Sequence, residues 1–150
     1  MITKSANEKK GRVLYRDQVY KMLESANEGS NLYIKENSRQ LFRLTEDNSF
    51  FNLTRDKKIG VKVFTWWDAR RAEVLDNLVK TGAEVFILDK YAQEHVTVSD
   101  NPRQLWYERC HPKRSFVASN CVYTDAPYDN AWEQVMAHLS NLEFNSQKLR

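Results

Sequence analysis

The chain has 150 residues, 41% of them hydrophobic and 12% aromatic, and its formal net charge is +3. This length and composition indicate one globular domain that is large enough to bury a core without disulfides or metal ions. They argue against a membrane span or a signal peptide, because the chain has no long apolar run and its basic N-terminal residues precede no apolar segment. We therefore expect a cytoplasmic protein that does not interact with membranes.

Positive charge is concentrated in three segments. Residues 1–16 have five Lys or Arg against one acid, residues 54–71 have six against two, and residues 103–114 have four against one. If these segments come together in the fold, they form one basic face that attracts phosphate groups. If they do not, they are three separate solvated surfaces.

Both ends of the chain are expected to be flexible. Residues 1–12 are polar and without periodicity, which predicts a mobile basic arm, and residues 144–150 are expected to form a short tail. The globular domain then spans residues 13–143. It begins with a predicted helix over residues 14–28, which Gly29 ends. The apolar face of that helix consists of Tyr15, Val19, Met22, Leu23 and Ala26.

Short apolar groups separated by polar turns follow this helix. The turns at residues 36–39, 46–49 and 55–58 are short enough to predict an antiparallel β-meander. The extended segments are marked by Leu32 and Ile34, by Leu41, Phe42 and Leu44, by Phe50, Phe51 and Leu53, and by Ile59, Val61, Val63 and Phe64.

The sequence VFTWWDARRAE at residues 63–73 predicts the start of a second helix, over residues 66–80. Thr65 is a suitable N-cap with Asp68 three residues later, and Gly82 is a suitable end. The apolar stripe of this helix is Trp67, Val74, Leu75, Leu78 and Val79, which places Trp67 in the core. Trp66 falls on the other face, where it stacks on a base or on Arg70, or folds back over the preceding strand; we favour the fold-back.

Residues 83–88 are almost entirely apolar, as expected for a buried strand that runs parallel to the one before the helix. This βαβ unit brings the ends of two strands to one edge of the sheet, where open α/β sheets usually bind their ligands. The residues expected at that edge are Thr65, Trp66, Asp68, Asp89, Lys90 and Tyr91.

The last third of the chain predicts further strands near residues 95–99 and 115–123, and a short helix or turn over residues 102–109. A C-terminal helix over residues 126–143 is indicated by one apolar face, with Asp125 as its cap. That face consists of Tyr128, Trp132, Val135, Met136, Leu139 and Leu142. The predicted fold class is therefore α/β (α+β): a single domain with a mixed sheet.

Two patterns are similar to parts of known families of phosphodiester-cleaving enzymes. The predicted order of elements over residues 14–88 is similar to the core of the restriction-endonuclease-like (PD-(D/E)xK) nucleases, which implies a metal site ahead of Lys62; Gly60, however, stands at the acid position. His111 and Lys113 resemble part of the phospholipase D-type HxK(x4)D motif, in which His is the nucleophile and Lys binds phosphate. Ala118 stands at its Asp position.

No metal or cofactor is expected. Cys110 and Cys121, with His95 and His111, lack the spacings of zinc sites, and the four glycines form no phosphate-binding loop. We expect both cysteines to be reduced. His138 lies off the apolar stripe of its helix, which favours a surface role.

The sequence predicts a small nucleic-acid-binding protein more than an enzyme. The expected phosphate contacts are Arg55, Lys57, Lys58, Arg70, Arg71, Lys113 and Arg114, with Trp66 or Tyr107 stacking on bases. The first alternative is an accessory protein, of phage or plasmid type, that binds and modulates a host protein, because Arg and aromatic residues also suit protein interfaces. The second is a phosphoester-cleaving enzyme, whose candidate residues are Asp68, Asp89, His111 and Lys113.

Overall fold

One mixed β-sheet organises the molecule. The computed structural model describes residues 3–4, 15–89, 94–110, 117–124 and 129–150. The strands are β1 (Thr3–Lys4), β2 (Asn31–Lys35), β3 (Gly60–Trp66), β4 (Glu84–Leu88), β5 (Glu94–Asp100), β6 (Arg103–Cys110), β7 (Val117–Thr124) and β8 (Gln147–Leu149). Their order across the sheet is β1-β7-β6-β5-β2-β3-β4-β8. β2, β3 and β4 are parallel, and every other pairing is antiparallel. The predicted α/β class with a mixed sheet is confirmed.

Helices cover both faces of this sheet. They are α1 (Tyr15–Ser25), α2 (Ser38–Leu44), α3 (Ser49–Asp56), α4 (Ala72–Lys80) and α5 (Asp129–Asn145). Helices α1 to α4 share one core cluster with Ile34 and Val63, whereas α5 contributes Trp132 and Leu139 to a second cluster with Phe64. Because alternate strand residues point to opposite faces, these two clusters lie on opposite sides of the sheet. No helix in the described ranges is both long and apolar enough to cross a membrane.

The predicted β-meander is wrong, because its two middle segments are the helices α2 and α3. The polar stretches that were interpreted as turns cap these helices: the Asn37 side chain accepts a hydrogen bond from the Gln40 backbone N–H at 2.8 Å, and Asp47 accepts one from Ser49. Ser, Asn and Asp favour both turns and helix N-termini, so the residue types alone do not distinguish them. The two helices form the crossover that the parallel pair β2 and β3 requires.

The helix predicted over residues 66–80 starts later in the structure, at Ala72. β3 continues through Trp66, a single 3₁₀ turn spans Ala69–Arg71, and α4 starts only at Ala72. Thr65 is therefore a buried strand residue and caps no helix, and Trp67 is 51% exposed, which corrects its predicted place in the core. The end of the helix at Gly82, with φ +101°, and the parallel pairing of β3 with β4 are as predicted.

The predictions for the C-terminal third of the chain are confirmed in part. β5 and β7 match predicted strands, but residues 103–110 form the strand β6 where a short helix or turn was expected. In β6, successive side chains point to opposite faces of the sheet: Trp106 packs in one core cluster and Leu105 in the other. This alternation of apolar residues is short, so it gives only a weak signal for a strand. The expected tail contains the end of α5 and then β8, which pairs with β4. Within the predicted N-terminal arm, residues 3–4 pair with β7.

Candidate nucleic-acid interface

The candidate site lies where the parallel strands β2, β3 and β4 end. β5 runs antiparallel to β2, with Lys35 opposite Val96, so β5 begins at this same edge. β6 ends and β7 begins there as well, because Cys110 pairs with Val117 and Arg109 lies opposite Glu94. We call this side of the sheet the carboxyl edge. The loops at such an edge are free of sheet pairing, which is why α/β proteins place ligands there.

A buried Glu36–His95 pair occupies the centre of the carboxyl edge. His95 Nδ1 lies 2.7 Å from Glu36 Oε1, and both side chains are 0% exposed. The same Glu36 oxygen accepts a hydrogen bond of 3.0 Å from the Asn37 backbone N–H. The ring of Trp66 lies 6.1 Å from that of His95. A carboxylate in this position fixes the tautomer and orientation of an imidazole, as in acid–base sites, but complete burial keeps this imidazole away from solvent.

A buried lysine lies on the opposite face of the sheet. Lys35 is 5% exposed, and its Nζ lies 2.9 Å from Nε2 of His138 on α5. An ammonium group has no acceptor, so the ring nitrogen accepts this hydrogen bond. His138 therefore joins the terminal helix to the end of β2 through a side chain that is itself exposed.

Asp68 organises the loop that follows β3. It accepts a hydrogen bond from Ser38 Oγ at 3.2 Å and caps the 3₁₀ turn by accepting one from the Arg70 backbone N–H at 3.0 Å. The pKa of Asp68 is lowered, chiefly by the hydrogen bond from the Arg70 side chain and then by that from the Arg70 backbone. Asp68 is thus held as an anion, which fits a structural role better than that of a proton donor. Asp89, directly after β4, is exposed.

Arginines and exposed aromatic residues lie on this loop and on the helix α2, which contacts the loop through Ser38 and Phe42. The guanidinium of Arg71 lies 4.9 Å from the ring centroid of Phe42, which is 41% exposed. Arg39 and Arg43 flank Phe42 on the exposed face of α2, three residues before it and one after it. The Arg70 side chain is 90% exposed. We call Arg39, Phe42, Arg43, Trp67, Arg70 and Arg71 the arginine–aromatic surface.

Three of the predicted phosphate contacts lie at the other end of β3. Arg55, Lys57 and Lys58 precede this strand of seven residues, so about 20 Å separates them from Arg70 and Arg71. Lys57 Nζ donates to the carbonyl oxygens of Leu23, Glu24 and Ala26 at 2.7–3.0 Å and so caps the C-terminus of α1. Lys58 pairs with Glu28 at 3.3 Å. The basic segment at residues 54–71 is therefore divided between opposite edges of the sheet.

Other predicted residues fall outside what the structure describes. His111, Lys113 and Arg114 are in this group, and Tyr107 is described only by its backbone in β6. Cys110 and Cys121 are likewise described only by their backbones in β6 and β7, so the expectation that both are reduced stays a prediction.

Sequence reasoning missed Arg39, Phe42, Arg43 and the exposed position of Trp67. The available signal was the position of Arg39, three residues before Phe42 and four before Arg43, which is a helical spacing only if that segment is taken as a helix. Trp67 also lines an open groove of about 800 Å³ beside β8. The lining residues are Trp67, Ile87, Gln147, Lys148, Leu149 and Arg150.

Neither a metal centre nor a known family is indicated. Among the residues that the structure describes, no three His, Cys, Asp or Glu side chains are grouped so that they can hold a metal ion. No protein-family model matches the chain, and no curated protein matches it at a significant level.

Proposed function

We propose that the protein binds nucleic acid through the arginine–aromatic surface at the carboxyl edge. The observation that carries this proposal is the exposure of Phe42 and Trp67 among arginines that remain solvent-accessible. Soluble proteins normally bury rings of this size, and guanidinium groups are well suited to phosphate oxygens because of their planar, two-pronged geometry.

The charge balance of this surface supports an anionic ligand. The surface has four arginines, and the acid in closest contact with them is Asp68, which is bound to Arg70 and Ser38. Arg71 is held over Phe42, which orders its guanidinium before a ligand arrives. An ordered cation loses less conformational entropy on binding a phosphate than a free side chain does.

Replacing Arg70 and Arg71 by Ala together tests this proposal. Loss of two phosphate contacts should reduce the slope of log affinity against log salt concentration by about 1.4–1.8, with affinity falling on all sequences alike. Fluorescence anisotropy with labelled DNA and RNA over a range of salt concentrations measures both quantities.

The matched control is the pair Arg55→Ala and Lys58→Ala, which removes the same charge at the opposite edge of the sheet. We expect this pair to leave the slope nearly unchanged. Equal effects of the two pairs would show that only net charge matters and would contradict a localised site. If the wild-type protein shows no salt-sensitive binding to DNA or RNA, the nucleic-acid proposal is wrong and a protein partner becomes the first choice.

A further inference from the structure

The groove beside Trp67 has the chemistry of a site for a flat aromatic ring. Trp67 directly follows the last residue of β3 and is 51% exposed, although it adjoins the apolar side chains of Ile87 and Leu149. The volume of about 800 Å³ lies within the usual range of ligand pockets, roughly 300–1,000 Å³. Gln147 adds an amide that both donates and accepts hydrogen bonds.

The charges around the groove match a ligand that is also anionic. Its lining contains two basic residues, Lys148 and Arg150, and no acid. Lys148 lies 3.9 Å from Glu84, and the neighbouring Lys62 pairs with Glu143 at 2.6 Å. These two lysines and two acids balance one another, so the net positive charge of the lining comes from Arg150. Arg70, whose side chain is 90% exposed, follows Trp67 by three residues in the loop after β3.

We propose that this groove accepts an unpaired base, so that the ligand of the carboxyl edge is a single strand of nucleic acid. This inference rests on the proposed function and names its substrate class. Stacking on an exposed indole requires a base whose two faces are accessible, which a duplex does not provide within its stack. The adjacent arginines then hold the phosphates on either side of the stacked base.

Trp67→Ala tests the inference when it is measured on two ligands, a labelled dT12 strand and a labelled 12-base-pair duplex. We expect binding of dT12 to weaken about 5- to 150-fold with little change in salt slope, and binding of the duplex to stay within about twofold. The matched control is Phe144→Ala, which removes a ring that is 89% exposed on α5 but does not line the groove. This control should bind both ligands as the wild type does.

A second readout does not depend on the folding of the alanine variant. Stacking quenches indole fluorescence, so dT12 should quench the wild-type protein more than Trp67→Phe, which keeps a stacking ring and should retain most of the affinity. Equal weakening of both ligands, or no weakening, would overturn the inference while binding itself persists. Loss of salt-sensitive binding in the wild-type protein would instead overturn the proposed function.

Discussion

At the residue scale, the end of β3 determines the positions of the two adjacent tryptophans, Trp66 and Trp67. β3 continues to Trp66, opposite Leu88, and brings that ring beside the buried imidazole of His95. Trp67 is then the first residue beyond the sheet and remains half exposed. A helical period over the same residues predicts the reverse assignment, with Trp67 in the core. Trp66 is half buried as the last residue of β3, so the favoured fold-back of a helix residue over the preceding strand does not apply.

The Glu36–His95 pair should be important for stability. Breaking a buried pair leaves one polar group without its partner, so His95→Gln should lower the free energy of unfolding by about 3–5 kcal/mol. Denaturation in urea measures this change. Glu36→Gln should have a similar cost, and the double variant should cost clearly less than the sum of the two single variants. Additive costs would contradict a direct interaction.

At the element scale, long periodic segments were predictable and short capped ones were not. The stripes of α1 and α5 extend over several turns, and their helices appear within a few residues of the predicted bounds. α2 has seven residues and α3 has eight, which is too short for a helical period to stand out from alternation. Their N-cap regions resemble turns, so the crossover between β2 and β3 was interpreted as a meander.

The terminal helix should contribute strongly to stability through one side chain. Trp132 is 8% exposed and packs in the cluster between α5 and the sheet, with the Arg103 guanidinium 5.0 Å from its ring. Trp132→Ala should therefore cost about 3–5 kcal/mol in the free energy of unfolding. Phe144→Ala, on the exposed side of the same helix, should change stability by less than about 0.5 kcal/mol. Near-normal thermal stability of Trp132→Ala would indicate that α5 is not part of the core.

At the scale of the whole molecule, the sheet separates charges that are close in sequence. Arg55 and Lys58 lie at the start of β3, whereas Arg70 and Arg71 follow its end. The general rule for α/β sheets correctly brings Asp68 and Trp66 to the carboxyl edge. It does not predict that α2 contacts this loop through Ser38 and Phe42, because that contact depends on how helices pack across the sheet.

The most direct test of the central claim is a ¹H–¹⁵N NMR titration of the wild-type protein with dT12. It reports at each amide where the ligand binds. We predict that the shift changes concentrate at Phe42, Trp67, Arg70 and Arg71 and are weakest around Arg55, Lys57 and Lys58. Changes centred on those three residues, or an unchanged spectrum at low salt, would contradict nucleic-acid binding at the carboxyl edge.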